Sequence, residues 1–568
     1  MIESDTKPSL RIAAVSEDIN ILAGLARLNP ARYFHTLRYL RPIQYFGRMG
    51  LWIPRPRPDA ASAPPVRNRA RRWEQPARRR RSMLSPDQFC FLNVEGEVGT
   101  AADWDSDQRE KLWLYNLHYF DDLNAEGAAE RIEWHQALLD RWVRENLPAQ
   151  GTGWETYPVS LRIVNWIKWV LAGNELEPAW EHSLAIQARW LRRRIEWHLL
   201  GNHLFANAKA LVFAGAFFDG PEAKEWFPKG LNILAREVPE QILLDGGHFE
   251  RSPMYHALIL EDLLDLVNLA RVYPGVIPES DIREWQAAVQ RMRSWLSVMV
   301  HPDGDIAFFN DAALGIVPLR TELEAYAGRL DLPASSPSKD GLTHLADSGY
   351  IRLQRDEAVA LLDVAPIGPD YLLGHAHADT LSFELSLFGR RVIVNSGTSR
   401  YGTGAERLRE RSTAAHSTVE VNGTSSSEVW SGFRVARRAR PFGLKTAEEG
   451  HETSVSCAHD GYRRLAGHPV HHRTWRLGKH SLVVEDHVTG QYENAVARFH
   501  FHPDAAVEGD ASNGHMLLHD GRRVEWRVLG GQSRIARSSW HPEFGLSIDS
   551  FSLEVPVLNG TSRVEFSW

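Results

Sequence analysis

The spacing of apolar residues divides the chain in two. Between residues 104 and 329 they recur every three or four positions. Ile163, Ile167, Val170 and Leu171 do so in one segment, and Leu204, Ala208, Leu211, Val212 and Gly215 in another. That spacing lines one face of an α-helix. Gly, Pro and Asp punctuate successive segments, so a run of amphipathic helix pairs is predicted, a toroid or a solenoid without strict sequence repeats. Near residue 340 the period drops to two. Leu381, Phe383, Leu385 and Leu387 alternate with Ser382, Glu384 and Ser386, the signature of a strand. Residues 350–363, 392–394, 418–421, 481–485 and 499–501 continue the theme. They predict an antiparallel β-sandwich reaching residue 568.

Ahead of the helices, residues 1–53 read as short helical pieces rich in Arg and Tyr. Residues 54–82 are rich in Pro, Ala and Arg and end in Arg78, Arg79, Arg80 and Arg81. This reads as an irregular connector closing in a solvated basic loop. A chain of 568 residues exceeds one ordinary core. The organisation expected is an α+β multidomain chain: an arm and connector over 1–100, a helical domain over 101–340 and a sandwich over 341–568.

The formal net charge is −7, with 43% hydrophobic and 24% charged residues. No global basic field exists to attract nucleic acid, so an acidic polymer must be met by a local cluster. Cys90 and Cys457 are the only cysteines, which excludes a disulfide framework. The first ten residues lack the apolar core of a secretory signal, and no run of about 18 apolar residues suggests membrane insertion. A cytoplasmic location is expected, with a periplasmic or non-classically secreted one as the alternative. The 20 tryptophans are either large core fillers or flat platforms for sugar rings.

Four segments carry candidate chemistry: Gly201-Asn202-His203, the stretch from Asp245-Gly246-Gly247 to Tyr255-His256, Gly374-His375-Ala376-His377-Ala378-Asp379, and Arg411-Ser412-Thr413-Ala414-Ala415-His416-Ser417. Residues two apart on a strand share a face. His375, His377 and Asp379 would therefore point together, as metal ligands do or as a hydrogen-bonded strand end does. His416 and Asn395 could complete a site. Glycoside hydrolysis generally needs two flanking carboxyl groups, and no such pair is evident. β-Elimination at a 4-linked uronide has other needs. Its C5 proton becomes acidic only when the adjacent carboxylate is neutralised by donors such as Asn or protonated His. A base then takes that proton and an acid protonates O4. Asn202, His203, Tyr255 and His375 supply these roles, and Arg251 could pair the substrate carboxylate.

Together these segments, in this order, resemble the motifs of the heparinase II/III-like polysaccharide lyases. The stretch from Leu112-Trp113-Leu114-Tyr115-Asn116-Leu117-His118 to Tyr119-Phe120 resembles a subset associated with bacterial exopolysaccharides. The resemblance implies an incomplete (α/α) toroid followed by an antiparallel β-sandwich, with the active cleft between them. It places Asn202 and His203 on carboxylate-neutralising or base positions, Tyr255 on the catalytic Tyr and His375 on a catalytic His. It implies one structural zinc on His377, Asn395 and His416, with no organic cofactor. Asn395 stands where the family commonly has Asp, and an amide is the weaker ligand. Tyr401, Tyr115, His118, Tyr157, Arg162 and Glu250 are candidate cleft residues beside Arg251. The substrate implied is an anionic polysaccharide, hyaluronan- or chondroitin-like, gellan-like or another glucuronic-acid exopolysaccharide, cut to 4,5-unsaturated uronate ends.

Structural alternatives stand beside these roles. Asn202 could cap the helix that follows it, Tyr255 could pack in the toroid, and His256 reads as a supporting residue. His500 and His502 read as surface residues of a sandwich strand. At the level of the whole chain, the alternatives are a catalytically silent polysaccharide-binding protein of exopolysaccharide assembly and a toroid glycoside hydrolase.

Overall fold

A computed structural model describes residues 29–53, 57–335, 339–529 and 533–568. The helical pieces expected in residues 1–28 and the start of the connector at 54–56 lie outside the described residues. Two short helices, α1 (Pro30–Leu37) and α2 (Pro42–Gly50), open the described chain. Each has Pro in its first turn, where the missing N–H costs no hydrogen bond. A connector then leads to a hairpin of β1 (Gln88–Phe91) and β2 (Val94–Glu97), which the expected arm and connector over residues 1–100 did not include.

The helical domain comprises α3 (Lys111–Tyr119), α4 (Ile132–Glu145), α5 (Thr156–Leu171), α6 (Pro178–Arg193), α7 (Gly201–Phe217), α8 (Ala223–Gln241), α9 (Pro253–Val272), α10 (Glu279–Val298) and α11 (Arg320–Arg329). α7 packs against α5, α6, α8 and α9. Its composition explains this position. Ala, Gly and Phe surround it on every side, and all of its residues except His203 are buried. A helix apolar all round belongs in a core. Trp142, Trp166 and Trp226 fill the spaces between the helices. Among the described residues no helix is long and apolar enough to cross a membrane.

From Gly341 onward the described chain is mostly strands. One sheet carries Gly341–Leu345, Tyr350–Arg355, Ala358–Asp363, Phe383–Leu387 and Arg390–Val394 in hairpin order, then Ala495–Phe501, Ile548–Pro556 and Arg534–Trp540. A second sheet, from Pro441–Glu449 to Ala506–Gly509, packs on it. The first sheet is covered on both faces. Ala358, Ala360 and Leu362 meet the second sheet, while Val359 and Leu361 meet Trp295, Met299 and Phe309 beside the helical domain. This explains why all of Ala358–Asp363 is buried, although strict alternation predicts one wet face. The joint between the domains also holds polar groups. Glu384 accepts from a His301 ring nitrogen at 2.8 Å and from the Phe308 N–H at 3.0 Å.

Candidate active site

A cavity of about 2100 Å³ opens between the helical domain and the sandwich. Asn202 and His203 reach it from the start of α7. The chain turns into that helix through Leu200 (φ 64°) and Gly201 (φ 55°), a region glycine adopts without strain. A Cβ on Gly201 would also collide with Leu372 and with the Glu250 carboxylate. The turn leaves Asn202 inside the helix, after an N-cap at Leu200 that makes no side-chain cap, so Asn202 does not cap it. Its backbone N–H donates to Glu250 Oε1 at 3.2 Å. His203 stacks on Tyr157 with ring centroids 4.3 Å apart. Its Nδ1 lies 3.2 Å from Glu196 Oε2, off the hydrogen-bonding direction. Burial alone would raise the Glu196 carboxyl, yet His203 and Asn207 hold it below its ordinary value.

Tyr255 sits in the first turn of α9, where the Ser252 hydroxyl accepts its backbone N–H. Its own hydroxyl shares a 2.9 Å hydrogen bond with the Tyr401 hydroxyl. Its ring lies 3.9 Å from the His375 ring, tilted by 32°. Burial, helped by Tyr401 and Asp311, pushes the Tyr255 phenol well above its ordinary value, so it is a neutral hydroxyl. His375 Nδ1 lies 2.8 Å from Asp311 Oδ2, and its Nε2 is 3.8 Å from Glu250 Oε2. A carboxylate only accepts, so Nδ1 carries a proton, and in the neutral tautomer the lone pair is on Nε2, toward the cavity. Burial raises the Glu250 carboxyl.

Asp311 is the hub beneath these groups. It is buried, pairs with both Nη atoms of Arg407 and binds His377 Nε2 at 2.8 Å. Burial would raise it, but Arg407 and the two histidines hold its carboxyl well below the usual range. Neither Asp311 nor Arg407 stands out in the sequence. The only trace is an Asn310-Asp311 pair after Phe308-Phe309, and Asn310 in turn accepts the His377 N–H.

His377 and His416 do meet, with Nδ1 of the first 3.1 Å from Nε2 of the second. The outer nitrogen of each faces an obligate acceptor, Asp311 Oδ1 for His377 and the Ser412 carbonyl for His416. In the neutral tautomers both inner nitrogens are then lone pairs, two of the roughly four donors that a zinc site takes. Asn395 departs from the expectation. Its amide donates to the Phe308 carbonyl and its Oδ1 accepts the Ser417 N–H, so it ties loops together and leaves little capacity for a metal. A second buried pair provides a contrast. His471 binds Asp486 through Nε2 and faces His459 Nε2 at 3.3 Å. There His459 Nδ1 accepts a backbone N–H from Gly461, so its Nε2 carries the proton and the chain of bonds closes without a cation.

Three expected substrate contacts are elsewhere. Arg251, at a backbone φ of 56°, turns its guanidinium to the carbonyls of Ser348 and Asp347 and does not line the cavity. His118 is enclosed between the Trp104 carbonyl and the Trp142 indole N–H. Arg162 is buried, bonded to Gln187 and to the carbonyls of His118 and Gly153. Helix packing accounts for both. Tyr115, Tyr157, Tyr401 and Glu250 do line the cavity. So does Tyr119, which links Tyr115 and Tyr157 in an aromatic row ending at His203. Trp52 is the one tryptophan among the described lining residues, so tyrosines form the stacking surface. His256 is buried and bonds the Met292 carbonyl and the His248 N–H. His500 is buried, not on the surface, between Ser538 and the Ala414 carbonyl. His502 packs on Trp540, with ring centroids 4.4 Å apart. The basic run is not simply solvated either, since Arg79 is paired to Glu261 in the cavity wall.

Residues 106–327 match the heparinase II/III N-terminus family, and residues 337–568 match the heparinase II/III-like, C-terminal family. The chain belongs to the heparinase II/III-like superfamily. It is 27% identical over 247 residues to a heparin-sulfate lyase of Bacteroides stercoris, covering 39% of this chain and 36% of that one. The match thus spans about a third of the lyase's length. The chain is also 26% identical over 367 residues to the FtsZ-localized protein C of Caulobacter vibrioides, covering 60% of each. A crystal structure of heparinase III superposes with a TM-score of 0.66 at 20% identity, covering 82% of this chain and 78% of that one, which establishes the shared fold.

Proposed function

We propose that the protein is a polysaccharide lyase that cleaves a 4-linked uronate by β-elimination. The observation that carries this reading is the convergence of Asn202, His203, Tyr255 and His375 on one cavity, with the His375 tautomer set by Asp311. Asn202 and His203 neutralise the uronate carboxylate, which makes the C5 proton acidic. His375 Nε2 takes that proton. The C5–H electrons form the C4–C5 double bond, the C4–O4 bond breaks, and the neutral Tyr255 hydroxyl protonates O4. The tilted Tyr255 and His375 rings lie 3.9 Å apart, which supports acid and base acting from one side of the sugar, the arrangement of syn elimination, in which Tyr255 can also serve as base.

Charge in the cleft favours a sparsely charged, unsulfated uronate polymer. Among the described lining residues, twelve carboxyl side chains face eleven Arg or Lys side chains. Lys168 and Lys209 are held by Asp265, Arg79 by Glu261 and Arg438 by Asp370. Sulfate groups would have to break such pairs, whereas one carboxylate per repeat needs only the donors around Asn202. The test is ultraviolet absorbance of the unsaturated uronate over a panel of uronic-acid polysaccharides, with Tyr255→Phe as control. A flat trace throughout would overturn the reading.

We also propose that His377 and His416 hold one divalent cation, which when bound would pin the loops carrying His375 and Ser412. A second reading, a polysaccharide-binding protein without turnover, draws on the Caulobacter relative. That relative matches a larger share of this chain than the B. stercoris lyase does, and its name describes a location, not an activity. Retained binding without unsaturated product would favour it.

A further inference from the structure

Two segments that precede the family matches bridge the cleft between the helical domain and the sandwich. The first is the α1–α2 arm. On the helical side, Arg41 pairs with Glu240, and Gly47 lies so close to His198 that a Cβ would stand 2.7 Å from its backbone nitrogen. On the sandwich side, the Gln44 amide donates to the Tyr371 carbonyl at 3.2 Å, Arg32 binds Glu428 at 3.0 Å and the Trp430 indole donates to Thr36 at 3.1 Å. Arg41 also lies 3.7 Å over the Tyr371 ring.

The second bridge is the β1–β2 hairpin. Its Val94 carbonyl accepts from the Trp113 indole on α3 at 2.9 Å. Its Asn93 amide reaches the sandwich, donating to Glu543 at 3.0 Å and to the Phe544 carbonyl at 2.9 Å. Arg80 adds a 2.7 Å bond to Glu543. Leu40, Gln44 and Arg48 of the arm and Leu92 and Asn93 of the hairpin line the same cavity as Tyr255 and His375. Both family matches begin later in the chain, the first at residue 106, so neither bridge lies inside a matched segment.

An open groove lets a polymer settle sideways onto the catalytic groups at any point along its length. A cleft whose walls are tied together across it does not, because a chain must thread beneath each tie. We infer that the arm and the hairpin make this protein admit polysaccharide by a chain end, so that cleavage is exolytic. The inference rests on the lyase reading for its chemistry, but on the bridges alone for its geometry.

The test is the size distribution of products early in the digestion of hyaluronan and of heparosan, the unsulfated glucuronate–N-acetylglucosamine polymer. Small unsaturated oligosaccharides appearing while the polymer peak keeps its elution position are expected. A polymer peak that slides at once to intermediate sizes overturns the inference. Gly47→Val with Asn93→Ala should loosen both bridges and shift the pattern toward intermediate sizes. If that variant unfolds, the milder Gln44→Ala with Arg80→Ala takes its place, checked by its melting curve, and an unchanged pattern in a folded variant tells against the bridges. Binding to the Tyr255→Phe protein tests the geometry without turnover. Octasaccharides of both polymers, bare or carrying a bulky cap at one end or the other, are compared by calorimetry. Loss of binding with a cap at one of the ends supports end-first admission, and equal binding of capped and bare chains overturns it. Absence of the unsaturated chromophore would count against elimination and not against the geometry.

Discussion

His375 and His377 share a single buried carboxylate: Asp311 Oδ2 lies 2.8 Å from His375 Nδ1, and Oδ1 lies 2.8 Å from His377 Nε2. The proposed base and the proposed cation site are therefore oriented by one residue, itself clamped by Arg407. Asp311→Asn keeps the shape but loses one acceptor and the charge. Turnover should fall about 10- to 100-fold, the usual effect of removing such a supporting partner. Arg407 would be left as an uncompensated buried charge, at a cost of about 3–5 kcal/mol. Steady-state kinetics and urea unfolding measure the two effects. A variant with wild-type rate and stability would remove Asp311 from this role.

Tyr255→Phe tests the acid. The phenol hydroxyl bonds only Tyr401 among the described side chains, so its removal leaves α9 packed and costs about 1 kcal/mol or less. The loss in kcat should reach about 10²- to 10⁴-fold, the range for a general acid or base. Tyr401→Phe should cost less, because that residue acts on Tyr255 and not on O4. Equal losses from the two variants would make the pair of hydroxyls a single unit and refute the separate assignment.

Much of this architecture is legible because periodicity reports burial directly. The change of period near residue 340 matches the start of the first sandwich strand at Gly341, and Ile163 and Leu211 are both in the core. The hairpin at Gln88–Phe91 is hidden because two four-residue strands beside a Pro-rich stretch give too short a pattern. In the site, residues inside the motifs can be found from sequence, and residues that complete it from elsewhere cannot. Asp311 joins His375 and His377 across 64 and 66 positions, and Arg407 joins Asp311 across 96. Spacing carries no such information. The error over Arg251 has the same origin, since its guanidinium is held by the Ser348 and Asp347 carbonyls, 97 and 96 positions away.

The two imidazole pairs make opposite predictions about metal. Elemental analysis should find about one equivalent of a divalent cation, consistent with the donor preferences of such sites. His377→Ala and His416→Ala should lose it. His459→Ala should keep it, because the hydrogen-bond chain through His471 to Asp486 closes with ordinary protons. A chelator should lower the melting temperature of the wild type and not that of His377→Ala. Metal-free protein with chelator-insensitive melting would mean that one imidazole of the His377–His416 pair carries an extra proton.

Glu410 should make the fold sensitive to neutral pH. Its side chain is fully buried, close to Ser399, whose backbone N–H donates to it at 3.2 Å and whose hydroxyl also donates. Burial pushes its carboxyl from 4.5 up to about 7, against the pull of Ser399 and Arg407. With the folded value raised, both states are protonated below about pH 4.5 and the stabilising difference is then complete. Between about 4.5 and 7 the unfolded chain ionises while the folded one holds its proton, so stability falls by about 1.4 kcal/mol for each step of one in pH. The loss is about 3 kcal/mol by the time the pH passes 7. Glu410→Gln keeps the buried shape and removes the titration. Urea unfolding of both proteins at pH 5 and pH 7.5 isolates the effect, since other titrating groups are common to the two. The wild type should lose more stability than the variant across that interval, and parallel losses would show that Glu410 does not titrate there.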